Sequence, residues 1–169
     1  MGQIGWNAEK LSELVQQHGA ALVYYARQLG PAWAGSQCDD LLQDALISLI
    51  RKSPPPDDPL AWLYGTLRRL ALFRSRTEGR RARHENHAAR TRQTELPPWH
   101  VEDLDRREQV ERLMQKLETL DGPLREIVVM HLWGKLTFNQ IGPIVGCSSS
   151  KAHREYQRAL RLLEEAMSD

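Results

Sequence analysis

Residues Leu136–Leu163 read LTFNQIGPIVGCSSSKAHREYQRALRLL, and the spacing of polar, small and apolar positions within this stretch decides the fold of the C-terminal half. Thr137 is placed to cap one helix and Ser148 a second, with Gly146 at the turn between them. Gly142 in the first helix and Ala152 in the second are small where two helices must cross closely, so the stretch predicts a helix-turn-helix. Along the second helix Ala152, Tyr156, Leu160 and Leu163 share an inner face. Lys151, Arg154, Arg158 and Arg161 then line the opposite side, and Ser149, Ser150 and His153 stand near the helix N-terminus. A helix of this kind puts its first turns in the DNA major groove, where lysine or arginine donates to guanine and serine pairs flexibly, while cations further along reach phosphates. The plain alternative is an amphipathic helix whose late arginines complement its dipole. Gly142-Pro143 falls inside the first helix, where proline removes a hydrogen bond and costs about 3 kcal/mol relative to alanine. A kink or a short, tightened helix is expected there, with DNA binding weakened in consequence.

Working outward, the chain reads as all-α, because its apolar residues recur at helical spacing and no period-2 alternation is sustained. A helix over about Asn7 to Leu29 keeps Leu11, Leu14, Val15, Leu22 and Val23 inward and stops at Gly30-Pro31. Ser36 and Asp39 resemble a cap for the next, whose stripe is Leu42, Ala45, Leu46 and Leu49 and which reaches about Lys52. Ser53-Pro54-Pro55-Pro56-Asp57-Asp58-Pro59 is a stiff loop, with Asp58 placed to cap a third helix that keeps Leu63, Leu67 and Leu70 inward and loses its periodicity after Phe73. The polar stretch 87–101, with Pro97-Pro98, reads as a linker between a domain over 1–86 and another over 102–169. The second domain opens with a helix near Glu102 to Leu120, then PLREIVVMHLW, closed by Gly134, and ends with the helix-turn-helix.

Bulk properties narrow the function classes. The 169 residues are 41% hydrophobic with a net charge of only +1, which suits compact folded cores and by itself indicates no nucleic-acid partner. The distribution is more telling: nine arginines and no lysine lie between Arg68 and Arg92, against Glu78 and Glu85. Two acids cannot neutralise that stripe, which favours phosphate contact over a solvated ion-pair face. No apolar run reaches the roughly 18 residues of a membrane span and the N-terminus lacks a signal-like centre, so a cytoplasmic protein with no membrane insertion is expected. Cys38 and Cys147, one in each half, suggest small buried residues rather than a disulfide or a zinc site. His84 and His87 lack a carboxylate or cysteine to complete a metal site, and neither a phosphate-binding glycine loop nor a nucleophile motif occurs, so no enzyme, cofactor or metal is expected.

Two further motifs precede the helix-turn-helix. Asp39-Asp40-Leu41-Leu42-Gln43-Asp44-Ala45 is followed by Ala61-Trp62-Leu63-Tyr64, then the arginine stretch, then a terminal helix ending Arg158-Ala159-Leu160. In this order they resemble a bacterial RNA polymerase sigma factor of the extracytoplasmic-function group. The resemblance implies two helical domains, regions two and four, joined by a flexible linker. Asp40, Gln43 and Asp44 would dock on the β′ clamp of core RNA polymerase, and the second domain would meet the β flap. The loop from Arg51 and Lys52 to Asp58 would face a base flipped from the minus-ten element. Arg68, Arg69, Arg74, Arg76, Arg80 and Arg81 would hold the separated strand, with Tyr64 and Phe73 offering ring faces if exposed, while Trp62 at its helical spacing reads as core. Ser149, Ser150, Lys151, His153, Arg154 and Arg158 would serve the minus-thirty-five element. The chain departs from the family pattern at Arg69 (usually Asn), Phe73 (often Asp), Gln140 (Glu), Gly142 (Ala) and Lys151-Ala152 (Thr-Val).

The function these features imply is core polymerase binding with promoter recognition and melting, an anti-sigma factor being a further candidate partner. The rivals are a stand-alone helix-turn-helix regulator, which would not need the Asp40–Asp44 face, and a sigma-like interaction protein that reads little DNA.

Overall fold

The computed structural model describes residues 6–30, 35–82 and 104–168, and the chain divides into two compact units, Met1–Thr91 and Arg92–Asp169. All regular structure among the described residues is helical. Unit 1 holds α1 (Ala8–Leu29), α2 (Gly35–Ile50) and α3 (Pro59–Ala82), and each of the three packs on the other two. Unit 2 holds α4 (Leu104–Thr119), α5 (Gly122–Leu132), α6 (Phe138–Val145) and α7 (Ser149–Ser168), with α7 touching α4, α5 and α6. The expected linker over 87–101, together with His84 and His87, lies outside the described residues.

The starts of these helices follow from local chemistry. Asn7 Oδ1 accepts from the Lys10 amide at 2.8 Å to begin α1, and Asp58 Oδ1 accepts from the Ala61 amide at 3.0 Å to begin α3 with Pro59 in its first turn. α2 begins at Gly35, so Ser36 lies within its first turn rather than ahead of it. Between α2 and α3 the polyproline loop includes a cis Ser53–Pro54 peptide.

The core of unit 1 is Leu22, Tyr25 and Ala26 of α1, Cys38, Leu41, Ala45 and Leu49 of α2, and Leu63, Tyr64, Leu67 and Ala71 of α3. This corrects the expected faces. In α2 the buried row passes through Leu41, while Leu42 and Leu46 are half-buried flanks, because the helix is gripped by α1 on one side and α3 on the other. In α1, burial begins at Gly19; Leu11 and Leu14 are half-buried and Val15 is 38% exposed. At about 1.5 Å per residue α1 is about 33 Å long and α2 about 24 Å. The short connection makes the two antiparallel neighbours, so the first turns of α1 outrun α2. Leu70 is likewise half-buried rather than core.

In unit 2 the inner surface is Met114, Leu117, Ile127, Val128, Met130, Leu136, Ile141, Ala152, Tyr156, Ala159 and Leu163. Ala159 takes the fully buried place expected for Leu160, which is half-buried. α5 is closed by amides of Trp133 and Gly134 on the Val129 carbonyl, and the left-handed residue that turns the chain is Lys135 (φ 56°), not Gly134.

Candidate polymerase and nucleic-acid interfaces

The outer face of α2 carries Asp39, Asp40, Gln43, Asp44, Ile47 and Ile50, all exposed, opposite the buried row Cys38, Leu41, Ala45 and Leu49. Asp40 and Gln43 therefore stand where a docking partner could reach them. Asp44 is engaged within the unit: Arg74 Nη2 of α3 donates to its Oδ2, and Arg74 Nη1 donates to the Gln37 carbonyl at 3.2 Å. The ion pair is part-exposed, at 29% and 53% for its two side chains, which limits it to about 0–1 kcal/mol. A single fully buried leucine such as Leu41 contributes about 1.5–3 kcal/mol, so the apolar seam holds α2 to α3 and the ion pair trims its edge. Two residues expected in separate interfaces are thus spent largely on each other.

Arg51 and Lys52 are exposed at the end of α2. On α3, Arg68 is half-buried; Arg69 is exposed and donates from Nη2 to Thr66 Oγ1 at 2.8 Å; Arg76 is exposed. Arg80 and Arg81 lie on α3, but their side chains fall outside the described residues. The rings separate sharply. Tyr64 is fully buried, edge-to-face on Tyr25 at 4.9 Å, and offers no free face; Trp62 is half-buried rather than core; Phe73 is 70% exposed. Burial pushes the Tyr64 hydroxyl's pKa well above the usual tyrosine range, and it pushes the Cys38 thiol up as well.

In the helix-turn-helix, Gly142 lets α6 rest against the start of α7. A Cβ there would meet the Cys147 carbonyl oxygen at 2.7 Å and the Ser149 amide nitrogen at 3.1 Å. Gly146 takes the left-handed turn at φ 78°, and the Cys147 amide bonds back to the Gly142 carbonyl at 2.9 Å. Gln140 does the work of the usual glutamate: its Oε1 accepts from the Thr137 amide at 2.6 Å and from the Thr137 hydroxyl at 2.9 Å. α6 is short, as expected, yet it continues past Pro143, which is exposed.

α7 starts at a serine cap, Ser148 Oγ accepting from the Lys151 amide at 3.2 Å. Ser150, Lys151, His153, Arg154 and Arg158 are exposed and Ser149 is half-buried. His153 also packs on Phe138, ring centres 4.9 Å apart, and Arg158 meets Glu155 at 3.5 Å. Beneath them lies a residue the sequence reading did not single out, His131. Its Nδ1 donates to the Leu136 carbonyl at 2.8 Å, and its ring stacks on Phe138 at 4.4 Å and meets Tyr156 edge-on at 4.7 Å. It ties the end of α5 to both helices of the motif. No spacing rule marks such a residue, because its three partners come from the connection after α5, from α6 and from α7.

Residues 14–81 match the family model of sigma-70 region 2. Unit 1 is a sigma-70 region 2. After it the chain carries the helix-turn-helix unit. The fold of the chain is shared with the sigma factor RpoE from Bartonella quintana, solved with the anti-sigma factor NepR, at TM-score 0.70 and 19% identity over 96% of this chain and 98% of that one. It is shared too with CnrH, solved with the cytosolic domain of CnrY, at TM-score 0.59 and 22% identity over 96% of this chain and 90% of that one. Comparison with curated proteins by sequence gives no match. Among the described residues no helix is long and apolar enough to cross a membrane.

Proposed function

We propose that this sigma factor, as part of an initiating RNA polymerase, docks on the β′ clamp through Asp40 and Gln43, with Asp44 held beside them by Arg74. The observation that carries the reading is the region 2 match spanning α1 to α3, whose α2 keeps those two polar side chains free on its outer face. Division into a first domain over 1–86, a linker over 87–101 and a second domain over 102–169 belongs to the same proposal. Arg51, Lys52, Arg69 and Arg76 then track the separated minus-ten strand, while Lys151, Arg154 and Ser150 face the upstream element. The second domain meets the β flap. These are binding roles, carried out in the cytoplasm without catalysis by the chain. Because the two structural neighbours were solved with anti-sigma or companion proteins, a protein of that kind is proposed as a further partner here.

Asp40→Arg combined with Gln43→Ala tests the docking face. Both side chains are exposed, so the double variant should fold normally by circular dichroism and lose most of its capture by purified core polymerase. Undiminished capture by the folded variant would remove the docking assignment.

A further inference from the structure

Seven large apolar side chains are exposed among the described residues, and four of them stand on two neighbouring helices of unit 1: Ile47 and Ile50 on α2, Leu72 and Phe73 on α3. Each pair sits in a row that the helix repeat draws along an outer face. On α2 the row is Asp40, Gln43, Ile47 and Ile50; on α3 it is Arg69, then Leu72 and Phe73, then Arg76, and all eight side chains are exposed. Phe73, at 70%, is the most exposed of the seven. Scattered singly, such groups need no account, but gathered in rows beside charges they mark a surface made for another protein.

The charges say which protein. From Gly35 to Ile50, α2 holds three aspartates and no basic residue; from Pro59 to Thr77, α3 holds four arginines and no acidic one. Within one chain Asp44 and Arg74 already join across the seam between the helices. On the outer faces stand Asp39 and Asp40 of α2 and Arg69 and Arg76 of α3, two acids against two bases. Both rows lie opposite the faces that their helices turn to the core, so a row of one chain meets its complement on a second copy. The spacings agree. At about 1.5 Å per residue, Gln43 and Asp40 stand about 6 and 10 Å before Ile47, while Arg69 and Arg76 stand about 6 and 4.5 Å to either side of Phe73. With Ile47 set on Phe73, one arginine falls beside Gln43 and within reach of Asp40 whichever way the helices run, and the other lays its stem along Ile50. A net charge of only +1 puts little like-charge repulsion between two copies.

We propose that the chain pairs with a second copy of itself, the α2 row of each seated on the α3 row of the other. A twofold axis repeats the contact, so the assembly closes at two copies with all four rows covered. The pair hides Asp40 and Gln43 and is therefore a stored form that core polymerase must take apart. That consequence rests on the docking reading of α2; the pairing itself does not.

Sedimentation equilibrium on the full chain tests the pairing, with circular dichroism to show that each variant is folded. The parent should form a dimer and nothing larger by about 100 μM. Ile47→Lys and Phe73→Glu should each raise the dimer dissociation constant at least about 10-fold, because each sets into both copies of the contact a charge like that of the row it faces. Asp39→Arg with Asp40→Arg, and separately Arg69→Asp with Arg76→Asp, should each lose self-association, and an equimolar mixture of these two double variants should pair one to one with the parent's affinity. Both contacts in the mixed pair are again opposite in charge. A parent that stays monomeric at about 100 μM would overturn the proposal and leave the two rows to polymerase and DNA. Association that Ile47→Lys and Phe73→Glu leave unchanged, or reversed variants that do not pair when mixed, would overturn it as well. Core polymerase added to the parent dimer keeps the two readings apart. Loss of the dimer as core is bound agrees with both, core bound to an intact dimer defeats the docking face and leaves the pair, and a monomeric parent that binds core defeats the pair alone.

Discussion

At the scale of the single residue, Tyr64 of α3 sets a phenol inside the core of unit 1. Its ring is fully buried against Tyr25, and among the described residues its hydroxyl has no hydrogen-bond partner. An unmatched buried hydroxyl costs about 1–3 kcal/mol, so Tyr64→Phe should stabilise unit 1 by an amount of that order. Burial also raises this hydroxyl's pKa above its ordinary value of about 10. The folded protein then keeps a proton that the unfolded chain releases. Stability from this group is fully present below about pH 10 and is lost as the pH climbs from there toward the raised folded value. Thermal melts at increasing alkalinity should show a steeper fall in Tm for the parent than for Tyr64→Phe. Identical alkaline slopes would show that Tyr64 is not the group responsible.

At the scale of the element, the Gly142-Pro143 pair in α6 separates into a necessary residue and a dispensable one. A Cβ on Gly142 runs into the backbone at the start of α7, an overpacking that costs about 1–3 kcal/mol, so Gly142→Ala should lower the Tm of unit 2 and weaken upstream DNA binding. Pro143→Ala adds an amide donor at an exposed site and should leave stability unchanged or raise it by about 1 kcal/mol. Melting of the two single variants should show a loss for Gly142→Ala and none for Pro143→Ala; a destabilising Pro143→Ala would contradict this. Replacing the pair together would mix a clash with a repair.

The same element shows what could be read beforehand. Thr137, Gly146, Ser148 and Ala152 carry local signals, caps, turns and a small contact residue, and each stands where the sequence placed it. The phase of α2 was harder: seven of its residues from Leu41 to Ile50 are apolar, more than one face can hold, so periodicity alone could not choose Leu41 over Leu42. Choosing it required knowing that α1 and α3 grip the helix from two sides. Residue roles that depend on a partner in another helix, such as Arg74 with Asp44 or His131 with Tyr156, leave no mark in the spacing.

At the scale of the whole molecule, helix capping, two apolar cores and the close crossing at Gly142 reproduce a two-unit sigma-factor fold at 19% and 22% identity to its structural neighbours. The departures at Arg69, Phe73 and Lys151 fall on the exposed surface. They change the chemistry of that surface without touching what holds the helices together, so under the proposed function this chain should have start-site preferences of its own. The measurement that addresses the central claim most directly is run-off transcription from genomic DNA fragments by purified core RNA polymerase, with and without the chain. The account predicts discrete transcripts, with defined start sites, that appear only when the chain is present. Capture of core polymerase by the chain with no new start site on any fragment would contradict it, leaving a protein that occupies polymerase without directing initiation.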